Sequence, residues 1–83
     1  MVVTGRVQGV FFRDSCRKRA RATGVDGWVR NTEEGAVEAW FEGDQHVVEG
    51  LVAWCREGPA GARVDTVTVS RESPAGDEGF HVL

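Results

Sequence analysis

An α+β fold is predicted, with the element order β-α-β-β-α-β and two helices packed on one face of an antiparallel sheet. Three observations predict it. Alternating or β-branched runs occur at 2–7, 27–31, 36–42 and 63–71. Stretches of helical periodicity separate the first run from the second and the third from the fourth. Glycines punctuate the junctions, with no repeat or low-complexity tract between them.

Strand 1, Val2–Val7, alternates Val3, Gly5 and Val7 against Val2, Thr4 and Arg6. Helix 1 runs from Phe12 or Arg13 to Thr23. Phe12, Cys16 and Ala20 recur at i, i+4 and i+8, opposite Arg17, Lys18 and Arg21, and Gly24 follows as a residue free to turn left-handed. Strand 2, Gly27–Asn31, places Trp28 and Arg30 on one face and Val29 on the other. The loop Asn31-Thr32-Glu33-Glu34-Gly35 then makes a hairpin.

Strand 3, Ala36–Glu42, turns Val37, Ala39 and Phe41 toward the helices and Glu38, Trp40 and Glu42 away, with Trp40 expected to pack across from Trp28. Asp44 is a good N-cap for helix 2, whose buried stripe is Val47, Val48, Leu51, Val52 and Cys55, and Gly58-Pro59 ends it. Strand 4 is Arg63–Arg71. After the turn Ser73-Pro74-Ala75-Gly76, the segment Gly79–Leu83 can add a short C-terminal edge strand. Connected this way, the elements form the ferredoxin-like split β-α-β arrangement. Many unrelated functions share that arrangement, so function has to come from the site.

Composition narrows the classes. At 83 residues, 41% hydrophobic and 28% charged, residues 1–83 are expected to form one globular domain. No stretch approaches the ~20 apolar residues of a membrane span, and no basic segment followed by a long apolar run opens the chain. The expected compartment is therefore the cytoplasm. The net charge is −3, yet residues 13–21 carry five basic groups and one acid. A local +4 patch on an acidic body suits a small anion, or is simply a solvated helix face. Cys16 and Cys55 fit no zinc spacing and are expected to be free, mostly buried thiols. His46 and His81 are far apart and fit no ligand spacing either. No metal and no cofactor is expected.

The informative segment is Val3–Arg13, between strand 1 and helix 1. Gly5 and Gly9 let the backbone bend or approach a ligand closely. Helix 1 then offers unpaired N–H groups and the positive end of its dipole, a ready anion site. Arg13 can add a bidentate fork to the same anion. By spacing alone, a glycine turn followed by a surface arginine would look the same. Asn31 ends strand 2, eighteen residues after Arg13. As the residue before a hairpin loop it has the commonest use of an asparagine, a turn, and its distance from the first loop is not fixed by sequence.

Two blocks carry a resemblance. Val3–Arg13 reads hydrophobe-x-Gly-x-Val-Gln-Gly-Val-x-Phe-Arg. Gly27-Trp28-Val29-Arg30-Asn31 reads Gly-aromatic-Val-basic-Asn, followed by Gly35, Val37 and Gly43. Together with Gly58-Pro59, Ala62 and Val64, this closely resembles the acylphosphatase family over nearly the whole chain. One departure is that the chain opens only a few residues before the first block.

The resemblance implies hydrolysis of an acyl phosphate to a carboxylate and inorganic phosphate. It also implies residue roles. Arg13 matches the family's phosphate-binding arginine and Asn31 the asparagine that orients the attacking water. The backbone of Gln8, Gly9, Val10, Phe11 and Phe12, with Arg13, matches the phosphate cradle. The partner implied is a small-molecule acyl phosphate, with phosphate or sulfate as competing anions. A monomer is expected, with no nucleic-acid and no membrane partner. The rival function is a non-catalytic or weakly active binding module on the same fold, for example an anion- or RNA-binding domain. RNA readers on this fold stack bases on strand aromatics, and strand 1 here has none.

Overall fold

A computed structural model describes residues 1–83. The elements are β1 (Val2–Arg6), α1 (Phe12–Thr23), β2 (Asp26–Asn31), β3 (Val37–Glu42), α2 (Gln45–Glu57), β4 (Arg63–Thr68) and β5 (Phe80–Val82). The strands form one sheet in the order β4-β1-β3-β2-β5. The ferredoxin-like order predicted from sequence is present, with β1 to β4 paired antiparallel. The expected edge strand forms, but β5 pairs with β2 in parallel, so the five-stranded sheet is mixed and not antiparallel. The reason is the route of the chain. β4 runs antiparallel to β1 and ends where β2 begins. Residues 69–79 cross that end of the sheet and deliver β5 pointing the same way as β2.

Strand 4 was expected to reach Arg71 and stops at Thr68. Its last pair is Thr68 with Val2, the first residue of β1. The crossing segment is tied instead by carboxylates. Glu42 accepts the backbone N–H groups of Gly76 and Asp77, and Asp26 accepts that of Gly79. The Trp40 indole N–H also donates to Glu42 and is the main cause holding that carboxyl below its usual range. Asp77 is raised, chiefly by its hydrogen bond to Glu42.

The core lies between the helices and one sheet face. Val3, Val7, Val29, Val37, Ala39 and Phe80 are buried from the sheet side, against Phe12, Cys16 and Ala20 of α1 and Leu51 and Cys55 of α2. Val47, Val48 and Trp54 pack on it half-buried. The helices end as their residues dictate. Gly24, at φ 73°, caps α1, and the Asp44 carboxylate accepts the N–H groups of His46 and Val47 at the start of α2. Trp28 and Trp40 are register partners on the outer face. Cys16 and Cys55 are buried, unbridged neighbours. The hydrogen bond from Cys55 and burial together push the Cys16 thiol far above its ordinary range, which leaves it a packing group.

Two local features position the loop that leaves β1. Between Thr4 and Gly5 the β1–β4 register slips by one residue, so Val64 and Val67 both reach the core. Gly5 has φ 123°, and a Cβ there would lie 2.2 Å from the Arg63 carbonyl oxygen. Just beyond, the Gln8 amide donates to the carbonyls of Thr32 (2.9 Å) and Ala36 (2.8 Å). One side chain thereby joins the β1–α1 loop to the β2–β3 hairpin. The hairpin is itself closed by Thr32, whose N–H donates to Ala36 O and whose hydroxyl accepts the Ala36 N–H.

Two predictions follow from these contacts. Gly5→Ala should destabilise the protein by ~2 kcal/mol or more, since both φ and space exclude a Cβ. Gly50→Ala, in the exposed interior of α2 with open space around it, should stabilise by ~0.5–1 kcal/mol. Urea unfolding of both variants reads the contrast, and equal effects would contradict the bulge account. Gln8→Ala should cost ~1–3 kcal/mol because the two hydrogen bonds that join the loop to the hairpin are lost, while each carbonyl keeps a backbone donor. Gln8→Glu at pH 8 should unfold at lower urea than Gln8→Ala, because an oxygen then faces two oxygens. Folding raises the pKa of the introduced carboxyl, so the deficit should shrink as pH falls and the protonated acid becomes a donor.

Candidate active site

The ends of β1 and β2 lie at the same edge of the sheet, with β3 between them. There the chain makes a pocket of about 350 Å³ lined by Gly9, Phe11, Phe12, Arg13 and Asn31, together with Val7, Asp14, Arg17 and Val82. Five of the seven residues singled out from the sequence therefore meet in one cavity. The other two stand behind it: Gln8 spends its side chain on the hairpin, and Val10 packs half-buried against the core.

The entrance of α1 is built for an anion. Gly9 and Phe11 both have positive φ, 73° and 61°, and Phe11 is the one non-glycine residue that does. A left-handed conformation costs an L-residue roughly 1–2 kcal/mol. Phe11 stands at the N-cap with no side-chain cap. The first bond into the helix is Ser15 N–H to Phe11 O, and no backbone or side-chain acceptor takes the N–H groups of Gln8, Gly9, Val10 or Phe11. The first helical N–H groups, from Phe12, Arg13 and Asp14, have no intrahelical partner by geometry. A run of free amides thus meets the positive end of the α1 dipole.

Arg13, on the first turn, is half-buried and makes no ion pair and no hydrogen bond. Its neighbour in the pocket, Arg17, is different. Asp14 holds it, and Asp14 also pairs with Lys18 at 3.3 Å. Arg13 is thus the pocket's uncommitted cation. Arg17 lies four residues further along the same helix face, a relation visible in the sequence though its place in the pocket was not singled out. Val82 carried no sequence signal, because its position depends on the parallel pairing of β5 with β2.

Asn31 ends β2 opposite Val37 of β3. The turn role open to it from sequence is filled by Thr32 and Gln8. Its Oδ1 is buried and has no hydrogen-bond partner. With no partner from the protein, this acceptor is open to a donor that enters the pocket. No group of three His, Cys, Asp or Glu side chains is placed to hold a metal ion. No helix is long and apolar enough to cross a membrane.

A larger groove, about 570 Å³, lies at the opposite end of the sheet. Its Arg56 and Arg71 alternate with Glu42, Glu49 and Glu72, so it offers an anion no net positive field. The smaller pocket, with free amides and a free guanidinium, is the better anion site on physical grounds.

Known proteins of similar sequence and fold share one family description. A family model described as acylphosphatase matches residues 1–82. An acylphosphatase of Roseiflexus sp. is 54% identical over 98% of this chain and 88% of its own length. One of Rubrobacter xylanophilus is 58% identical over 96% of this chain and 74% of its own. Among solved structures, the crystal structure of acylphosphatase from Bacillus subtilis superposes with a TM-score of 0.94 at 31% identity, covering 99% of this chain and 92% of that one. On these matches the chain belongs to the acylphosphatase family, hydrolases that cleave the carboxyl–phosphate bond of acyl phosphates.

Proposed function

We propose that Arg13 and Asn31 are the catalytic residues of this pocket, with the Gln8–Arg13 backbone as its phosphate-binding loop. The observation that carries the reading is the meeting of an unpaired guanidinium, unpaired amides and an unpaired carboxamide in one pocket. Each lacks a partner within the protein, and an acyl phosphate with one water supplies all of them. The free amides and Arg13 take the phosphoryl oxygens. Asn31 holds a water in line with the scissile P–O bond. The water oxygen attacks phosphorus, the carboxylate departs with the bonding electron pair, and the water's proton passes to an oxygen of the substrate.

No strong base is required. An acyl phosphate is a mixed anhydride with a stable carboxylate leaving group, so charge neutralisation and positioning suffice. The same reading makes residues 1–83 one catalytic domain, active as a monomer without metal. It also makes the protein cytoplasmic, a compartment whose reducing conditions suit two unbridged thiols.

Two predictions separate the roles. Arg13→Ala should lose phosphate affinity and turnover together, and Arg13→Lys should restore little, because an ammonium lacks the planar fork. Asn31→Ala should bind phosphate nearly as the parent does while turnover falls by roughly 10²-fold or more, the scale of one preorganised contact. Asn31→Asp should also be poor, since its charge opposes the phosphoryl group. Phosphate titration, initial rates and circular dichroism on each variant decide the matter. Wild-type turnover in a folded Asn31→Ala protein would remove the water-positioning role. Separately, phosphate and sulfate should inhibit competitively and less strongly as salt rises, while excess chelator leaves the rate unchanged. Restoration of a lost rate by Mg²⁺ or Zn²⁺ would overturn the metal-free mechanism.

A further inference from the structure

Of the ten lysine and arginine side chains, the single lysine is Lys18. A guanidinium is always charged and is no nucleophile, whereas a lysine amine is one. Lys18 stands where that difference matters. Its Nζ lies 3.3 Å from Asp14 Oδ2, and Asp14 lines the pocket beside Arg13. The two are four residues apart on α1 and share one helix face. The Lys18 side chain is 72% exposed, so little besides Asp14 restrains it. The protein's other nucleophiles are absent from this place. Cys16 and Cys55 are buried, and no histidine or serine lines the pocket.

An acyl phosphate has two electrophilic atoms, phosphorus and the carbonyl carbon. Hydrolysis at phosphorus uses the first. The free amides and Arg13 that neutralise the phosphoryl oxygens also stabilise phosphate as a leaving group from carbon. The carbonyl carbon is one bridging oxygen away from phosphorus, so a substrate held by its phosphoryl end keeps that carbon at the pocket. A long side chain tethered to the pocket lining is placed to reach it.

We propose that Lys18 is a site of covalent acylation by the acyl phosphates that this pocket binds. The proposal rests on the acyl phosphate reading above and adds a second fate for the substrate. The neutral amine of Lys18 attacks the carbonyl carbon, and an N–C bond forms. The C–O bond to the phosphoryl group breaks, and phosphate departs with the electron pair. The Asp14 carboxylate takes the proton that the nitrogen loses and passes it to solvent. The products are an amide on Lys18 and inorganic phosphate, with no oxidant, metal or second substrate. The amide is uncharged, so it gives up Asp14 and lowers the positive charge of residues 13–21 by one, weakening the field that draws anions to the site.

The test incubates the protein with acetyl phosphate and follows acetylation of Lys18 by mass spectrometry of its peptide. Nα-acetyl-lysine amide in the same solution serves as the reference amine. Lys18 should acetylate about tenfold faster than the reference, or more. Excess inorganic phosphate should slow Lys18 and leave the reference unchanged. Arg13→Ala gives the opposing signs. If the pocket delivers the reagent, Lys18 labelling falls to the reference rate. If acylation is solution chemistry, labelling holds or rises, because the unhydrolysed reagent lasts longer. Phosphate protection of the parent protein decides the question even if Arg13→Ala folds poorly. Equal rates at Lys18 and the reference amine would overturn the proposal, as would a lack of phosphate protection. No release of phosphate from acetyl phosphate would end the acyl phosphate reading itself. Release of phosphate with Lys18 unlabelled would end the proposal alone.

Discussion

One amide group fixes the geometry of the site. The two pocket-forming loops leave strands that are not neighbours, since β3 lies between β1 and β2. Sheet spacing puts those strand ends roughly 10 Å apart, wide enough to seat a phosphoryl group and a water between them. That gap is also wide enough to let the loops drift independently. Gln8 spans it, with both N–H bonds of its amide spent on the far hairpin. The distance between the helix entrance and Asn31 is then set by a rigid planar group and not by two flexible loops. Positioning is most of what this chemistry asks of a protein, so the precision of the pocket rests on that amide.

Unfavourable local features are concentrated at the same place. No polar or charged residue is fully buried anywhere in the molecule. At the pocket the backbone of Phe11 is left-handed, a buried oxygen of Asn31 is unpaired, and a run of amides has no acceptor. Local rules that hold along the chain are broken where a ligand would restore them, as expected of a functional site. Phosphate binding should therefore stabilise the fold as well as occupy it.

Much of this was legible in the residues. The period-2 and period-3.6 patterns located four strands and both helices, because each element buries one face. Glycine and Asp44 marked the ends. The signature around Val3–Arg13 and Asn31 pointed to the residues that the fold brings together. What escaped depended on long-range geometry. The direction of β5 follows from where β4 ends, which no local pattern records, and with it went the place of Val82 in the pocket lining. The end of strand 4 at Thr68 has no local signal, since Val69 is as β-prone as its predecessors. The Gln8 side chain was legible only as part of a cradle. Its actual bonds go to carbonyls 24 and 28 residues away, a separation that carries no periodic signal.

The placement of β1 sets the timing of events in the cell. β1 lies between β3 and β4, and its Thr4 hydroxyl bonds to that of Thr66, 62 residues later in the chain. At the usual rate of synthesis, about 5–20 residues per second, roughly 3 to 12 seconds separate the appearance of those two residues. During that interval the strand feeding the anion loop has one open edge, and Gly5 lacks the bulge partner that fixes its conformation. The Gln8–Arg13 loop is translated well before β4, but its shape is set only after β4 has left the ribosome. For this arrangement of strands, activity cannot precede near-completion of the domain, and a chain arrested before β4 would present β1 as an unpaired edge to whatever strand is nearby.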